Sequence, residues 1–192
     1  MSPHTPWPWA RVLAHRGGGT LAPENTIGAI RVGIEHGYRA IEFDAMLPRD
    51  GAPILMHDPR LGRTVAGAGA VTEYTAAELA RLDAGRWHSP RFRGEPVPTL
   101  EEALAFCRRE GVWCNVEIKP APGRDAATGR VVAMTVAAAY ADRMRAGGAR
   151  QATIEPSVPL LSSFSIDALE SARAAVPDLP RGWLVDRIPP GW

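Results

Sequence analysis

Two periods of hydrophobicity run through the 192-residue chain. Short apolar runs of strand length occur at 11–17 (RVLAHRG), 40–46 (AIEFDAM), 53–58 (PILMHD), 113–119 (WCNVEIK), 159–164 (PLLSSF) and 181–185 (RGWLV). Between them the apolar positions recur at helical spacing. PENT (23–26) reads as a helix start with Asn25 as N-cap and Ala29, Ile30 and Ile34 as its apolar face, ending at Gly37. A short helix near Thr75–Leu82 is expected to be capped by Thr75 with Glu78. LEEALAFCRREG, starting from Thr99, reads as a capped amphipathic helix closed by Gly111. An Ala-rich helix is expected over about 126–146, and IDALESARAAV (166–176) is a further one. Asp50-Gly51 marks a turn, and residues 1–10, rich in Pro and Trp, read as an extended arm.

Strand–helix alternation of this kind argues for a parallel sheet with crossover helices. The polar side chains collect where the strands end: His15/Arg16, Glu42/Asp44, His57/Asp58 and Glu117/Lys119. That is where a (β/α)8 barrel carries its active face. No GxGxxG follows the first apolar run, which argues against a doubly wound sheet. The expected fold is therefore α/β, a (β/α)8 TIM-type barrel forming one domain over 1–192. Residues 59–98 form a long loop after the third strand, of the kind that is often functional. Such a barrel commonly takes about 250 residues. The chain stops after about the sixth apolar run, so the last one or two βα units are expected to be missing and the sequence to belong to a longer protein.

Composition narrows the function classes. Hydrophobic content of 45% and charged content of 22% suit a globular domain, and a net charge of +1 gives no global field for nucleic acid or an anionic membrane surface. No apolar run approaches a membrane span, and the N-terminus lacks a basic segment followed by an apolar one. A soluble, cytoplasmic protein without stable membrane association is expected. Cys107 and Cys114 lack CxxC spacing and read as buried free thiols.

The chemistry centres on Ala40–Asp58. Glu42 and Asp44 share one face of a strand whose other face is Ile41 and Phe43. Two carboxylates there are costly without a positive partner, and a hard divalent cation is the natural one. His57 arrives from the next run. Taken singly, each residue has a structural explanation: His57–Asp58 as a bonded loop pair, Glu117–Lys119 as an i,i+2 ion pair, Arg63 and Thr64 as loop organisers. Those explanations leave four strand ends independently charged, whereas a single site explains them together.

The ordered set HRG (15–17), PENT (23–26), E-x-D (42–44), DG (50–51), HD (57–58), RT (63–64), LDAGRW (82–87), PTLEEAL (98–104), EIK (117–119) and SSF (162–164) resembles the glycerophosphodiester phosphodiesterases. Pro48 and Arg49 depart from the Thr and Lys usual there. The resemblance implies hydrolysis of glycerophosphodiesters, such as glycerophosphocholine and glycerophosphoethanolamine, to sn-glycerol 3-phosphate and an alcohol. It further implies one divalent cation, Mg2+ or Ca2+, held by Glu42, Asp44 and Glu117. His15 and His57 would be the catalytic acid/base pair, His15 the base and His57 the acid, with the reverse order left open. Arg16 and Lys119 would bind the phosphate. The partner would be a small-molecule diester, with no nucleic acid; the oligomeric state is left open. The alternatives are a phospholipase D-type activity of the same superfamily and a non-catalytic barrel acting as a binding module.

Overall fold

The sheet forms because apolar side chains alternate along its strands and need cover on one face. In the computed structural model, which describes residues 7–147 and 158–188, β1 spans Ala40–Met46 and β2 spans Ile54–Leu55. They are followed by β3 (Trp113–Ile118), β4 (Leu160–Ser163) and β5 (Arg181–Trp183). The order across the sheet is β2-β1-β3-β4-β5, with β1, β3, β4 and β5 parallel. Ile41, Phe43 and Ala45 of β1, Cys114, Val116 and Ile118 of β3 and Leu161 of β4 form one apolar face. Against it pack α3 (Leu100–Arg109), α4 (Asp125–Ala139) and α6 (Ile166–Ala175) through Leu100, Leu104, Cys107, Val132, Val136, Ala168 and Ala172. The opposite face carries Glu42, Asp44, Asn115, Glu117 and Ser162. In register, Glu42 lies opposite Asn115, Asp44 opposite Glu117, and Glu117 opposite Ser162.

Several elements differ from the sequence reading. The run at 53–58 pairs antiparallel with β1, Ala45 opposite Leu55 and Met46 opposite Ile54. Only residues 47–53 connect the two, and a parallel return needs a crossover of roughly a dozen residues or more. This run is therefore a hairpin arm, and Gly51 supplies the positive φ its turn requires (+77°). The run at 11–17 reduces to one parallel bridge between Ala14 and Ile41. Pairing ends there because Arg16 and Gly17 turn through the left-handed region (φ +52° and +97°). The helix expected over 126–146 breaks at Tyr140, which turns a fully buried ring inward and separates α4 from α5 (Ala141–Gly147). Of the expected N-terminal arm, residues 1–6 lie outside the described residues.

The expected caps and free thiols are present. Thr75 with Glu78 and Thr99 with Glu102 form capping boxes at α2 (Ala76–Leu79) and α3. Cys107 and Cys114 are buried free thiols. Residues 59–98 hold α2 and a second apolar cluster including Leu61, Val71, Leu79 and Val97. Among the described residues, no helix is long and apolar enough to cross a membrane. The helix α1 (Ile27–Glu35) approaches the HRG loop closely at Gly33, where a methyl group would overlap the Gly17 carbonyl oxygen. That contact fixes the loop that carries His15 and Arg16.

Candidate active site

The parallel pairing of β1 with β3 decides the site. It places one oxygen each from Glu42, Asp44 and Glu117 within 4.8 Å of one another. Asp44 is 1% exposed, Glu42 and Glu117 9% each. Burial, reinforced by the neighbouring Asp44 and Glu117 charges, pushes the Glu42 carboxyl up to about 8, against the Arg16 backbone N–H that favours its ionised form. That N–H donates to Glu42 Oε2 at 2.9 Å, while buried Oε1 has no hydrogen-bond partner among the described residues. Lys119 Nζ lies 2.8 Å from Glu117 Oε1 and 3.8 Å from Asp44 Oδ1, and Arg16 Nε lies 3.5 Å from Asp44 Oδ2. The raised Glu42 carboxyl and its unpartnered oxygen mark a cluster that these two cations compensate incompletely. Three hard oxygen donors with a deficit of positive charge fit a hard divalent cation.

Asp44 is aimed by Asn25. The Asn25 side-chain amide donates to Asp44 Oδ2 (2.8 Å), and its Oδ1 accepts from the Asp44 backbone N–H (3.0 Å). Asn25 adopts a left-handed conformation (φ +59°), which asparagine tolerates better than most residues, and its backbone N–H donates to the Arg16 carbonyl. The cap expected from Asn25 belongs instead to Thr26, whose side chain accepts from the Ala29 N–H. Asn25 is thus free to serve the carboxylate cluster.

The histidines occupy different settings. His15 Nε2 lies 3.9 Å from Glu42 Oε2, with its side chain 69% exposed. His57 Nδ1 lies 2.7 Å from Asp58 Oδ1. Asp58 is in turn clasped by Arg63, Nε to Oδ2 at 2.5 Å and Nη2 to Oδ1 at 3.0 Å. The same guanidinium donates twice to Glu24, at 2.8 and 2.7 Å, and Glu24 accepts from Arg16 Nη1 at 2.9 Å. A chain of hydrogen bonds and ion pairs therefore runs from His57 through Asp58, Arg63, Glu24 and Arg16 to Asp44. The Arg63 hydrogen bond, with His57 also contributing, holds the Asp58 carboxyl down at about 2. Burial opposes ionisation of Glu24, but Arg63 and Arg16 outweigh it and hold that carboxyl below its usual value.

Glu42, Asp44, Glu117, Arg16, Lys119 and His15 thus stand in direct contact as one cluster, and His57 joins them through the Asp58–Arg63–Glu24 chain. Sequence reasoning puts Asp58 at a charged strand end beside His57, but reads Asn25 as a helix cap and Arg63 as a loop organiser, and gives Glu24 no role. The available signal was composition: PENT and HDPRLGR place acids and bases in two loops with no helix face to solvate them.

The profile of the glycerophosphoryl diester phosphodiesterase family matches residues 15–190. A glycerophosphodiester phosphodiesterase of Caldanaerobacter subterraneus is 40% identical over 108 residues, 56% of this chain and 44% of that protein. Glycerophosphodiester phosphodiesterase 1 of Homo sapiens is 38% identical over 109 residues, 56% of this chain and 33% of that protein. The chain spans less than half the length of these relatives. A phosphodiesterase of Oleispira antarctica, solved with the product sn-glycerol-3-phosphate, superposes with a TM-score of 0.80 at 34% identity, covering 95% of this chain and 69% of that one. A glycerophosphodiester phosphodiesterase of Agrobacterium tumefaciens gives 0.66 at 30% identity, covering 87% and 63%. These neighbours share the TIM-barrel-type α/β fold, which is the fold class of this chain.

Proposed function

The chain belongs to the glycerophosphoryl diester phosphodiesterase family, and on that footing we propose that it hydrolyses glycerophosphodiesters, glycerophosphocholine and glycerophosphoethanolamine among them, to sn-glycerol 3-phosphate and an alcohol. The observation that carries this reading is the convergence of Glu42, Asp44 and Glu117 within 4.8 Å, flanked by Arg16 and Lys119. A phosphodiester is an anion with a poor leaving group, so its hydrolysis needs equatorial charge neutralised and the departing oxygen protonated. Glu42, Asp44 and Glu117 would hold one Mg2+ or Ca2+, which when bound supplies Lewis-acid neutralisation of phosphoryl oxygen charge. Arg16 and Lys119 add fixed positive charge for the phosphate oxygens. His15, exposed beside Glu42, takes a proton from the nucleophile, and His57, backed by the Asp58 carboxylate, protonates the leaving alkoxide.

The raised Glu42 carboxyl gives this reading a pH signature. Below about 4.5 the group is protonated in folded and unfolded chains alike and favours neither. From 4.5 to about 8 the unfolded chain releases that proton while the metal-free folded chain keeps it, so folding stability falls as pH rises through this window. Cation binding requires the ionised form, so it is expected to release a proton and to tighten with pH up to about 8. Titration calorimetry in buffers of different ionisation enthalpy would read the proton release within the window and its disappearance above it. Affinity independent of pH would contradict the Glu42 assignment.

The reaction itself is tested by release of sn-glycerol 3-phosphate from glycerophosphocholine and glycerophosphoethanolamine with Mg2+, with Ca2+ and with EDTA. Release that EDTA abolishes is expected. Activity on a lysophospholipid but on neither small diester would favour the phospholipase D-type reading. Cation binding by a folded protein without any turnover would favour a binding module.

A further inference from the structure

Arg63 sits in a loop after the hairpin, outside the carboxylate cluster, yet its guanidinium makes four hydrogen bonds to two acids that serve different parts of the site. Through Nη1 and Nη2 it holds Glu24, the acid that fixes the Arg16 guanidinium. Through Nε and Nη2 it holds Asp58, whose Oδ1 lies 2.7 Å from His57 Nδ1. The arginine is half-exposed, but Glu24 and Asp58 are largely covered, at 13% and 25% side-chain exposure. A single exposed ion pair contributes little, whereas a planar fork bridging two carboxylates sets geometry as well as charge.

We propose that Arg63 is a positioning residue that locks His57 with its proton on Nδ1, turned to Asp58, while Glu24 ties the same guanidinium to Arg16. A carboxylate pinned on both oxygens by Arg63 presents a fixed acceptor to Nδ1, and an ionised carboxylate can only accept. The neutral imidazole must then carry its hydrogen on Nδ1. Nε2 is thereby the nitrogen that exchanges the proton of the reaction. Arg63 touches neither substrate nor the reacting atoms in this scheme; it acts through Asp58 and Glu24. Lysine cannot replace it, because a point charge cannot present N–H groups to both carboxylates in one plane.

The catalytic part of this role rests on the proposed hydrolysis, but the tautomer does not. The test is 15N NMR of histidine-labelled, metal-free protein at a pH where the imidazoles are neutral, with His57 assigned by comparison with His57→Gln. The unsubstituted protein should show His57 protonated on Nδ1. Arg63→Ala and Arg63→Lys should both move His57 toward the Nε2-protonated form, with the circular dichroism spectrum unchanged. Asp58→Asn should invert the tautomer outright, because the new amide donates where the carboxylate accepted. Glu24→Gln, which removes one of the two acids anchoring the guanidinium, is a further arm should Arg63→Ala unfold. In turnover, Arg63→Lys should lower kcat roughly 10–100-fold, the range for partners that orient a functional side chain. Nδ1 protonation retained in folded Arg63→Ala and Arg63→Lys would overturn the proposal. A chain without turnover that nonetheless loses Nδ1 protonation in Arg63→Ala would refute the hydrolysis and uphold the anchor.

Discussion

Asp44→Asn is expected to lower glycerophosphodiester hydrolysis about 10³-fold and to weaken divalent-cation binding with it, since metal charge stabilisation is worth several kcal/mol and each 1.36 kcal/mol is tenfold in rate. Asp44 is the most buried of the three carboxylates and the one contacted by Asn25, Arg16 and Lys119 together. Asparagine preserves its shape and can still offer an oxygen to the Asn25 amide, so the fold should survive. What is lost is the negative charge that balances Arg16 and Lys119. Calorimetric titration with Mg2+ and Ca2+, beside the sn-glycerol 3-phosphate assay, reads both effects. Unimpaired cation binding in Asp44→Asn would remove Asp44 from the ligand set.

The second large effect belongs to His57→Ala. Loss of a general acid should cost about 10²–10⁴ in kcat while cation binding persists, because His57 is outside the carboxylate cluster and connects to it through Asp58, Arg63, Glu24 and Arg16. The leaving group decides the role. A choline or ethanolamine alkoxide needs a proton as it departs, whereas a nitrophenolate does not. The deficit of His57→Ala should therefore shrink sharply on a glycerophosphodiester with a nitrophenol leaving group. An equal deficit on both substrates would make His57 the base and reverse its assignment relative to His15.

Most of this architecture was legible in the chain. The period-two pattern of AIEFDAM predicts a strand with two acids on one face, and β1 spans those same residues. Thr75 with Glu78 and Thr99 form the caps that local chemistry demands. What failed depended on geometry between segments. PILMHD has the composition of a strand whichever way it runs, and only the short connection through Asp50-Gly51 reveals that it must turn back. Asn25 suits an N-cap, but the neighbouring Thr26 serves equally well, and the choice is made by Asp44, nineteen positions on. Arg63 reads in sequence only as a loop organiser, because its partners are two acids, Glu24 and Asp58, that the folded loops bring together. Periodicity sees faces of elements; it does not see which loops meet.

The alternation along β3 has one more effect, on which ions the protein can be poisoned by. Cys114 points into the helix-covered face with Cys107, whereas Glu117 points to the opposite face with Glu42 and Asp44. The sheet itself thus stands between the chain's two thiols and the carboxylate oxygens of the cluster. A thiophilic ion such as Cu(I) or Cd2+ would find no thiolate with which to outcompete a hard cation at the carboxylates. The hydrogen bond with Cys114, followed by burial, raises the Cys107 thiol well above its ordinary value, which disfavours the thiolate that such ions bind. A preference for hard ions over thiol-seeking ones would in this way follow from the pleat, with the thiols on one face and the carboxylates on the other.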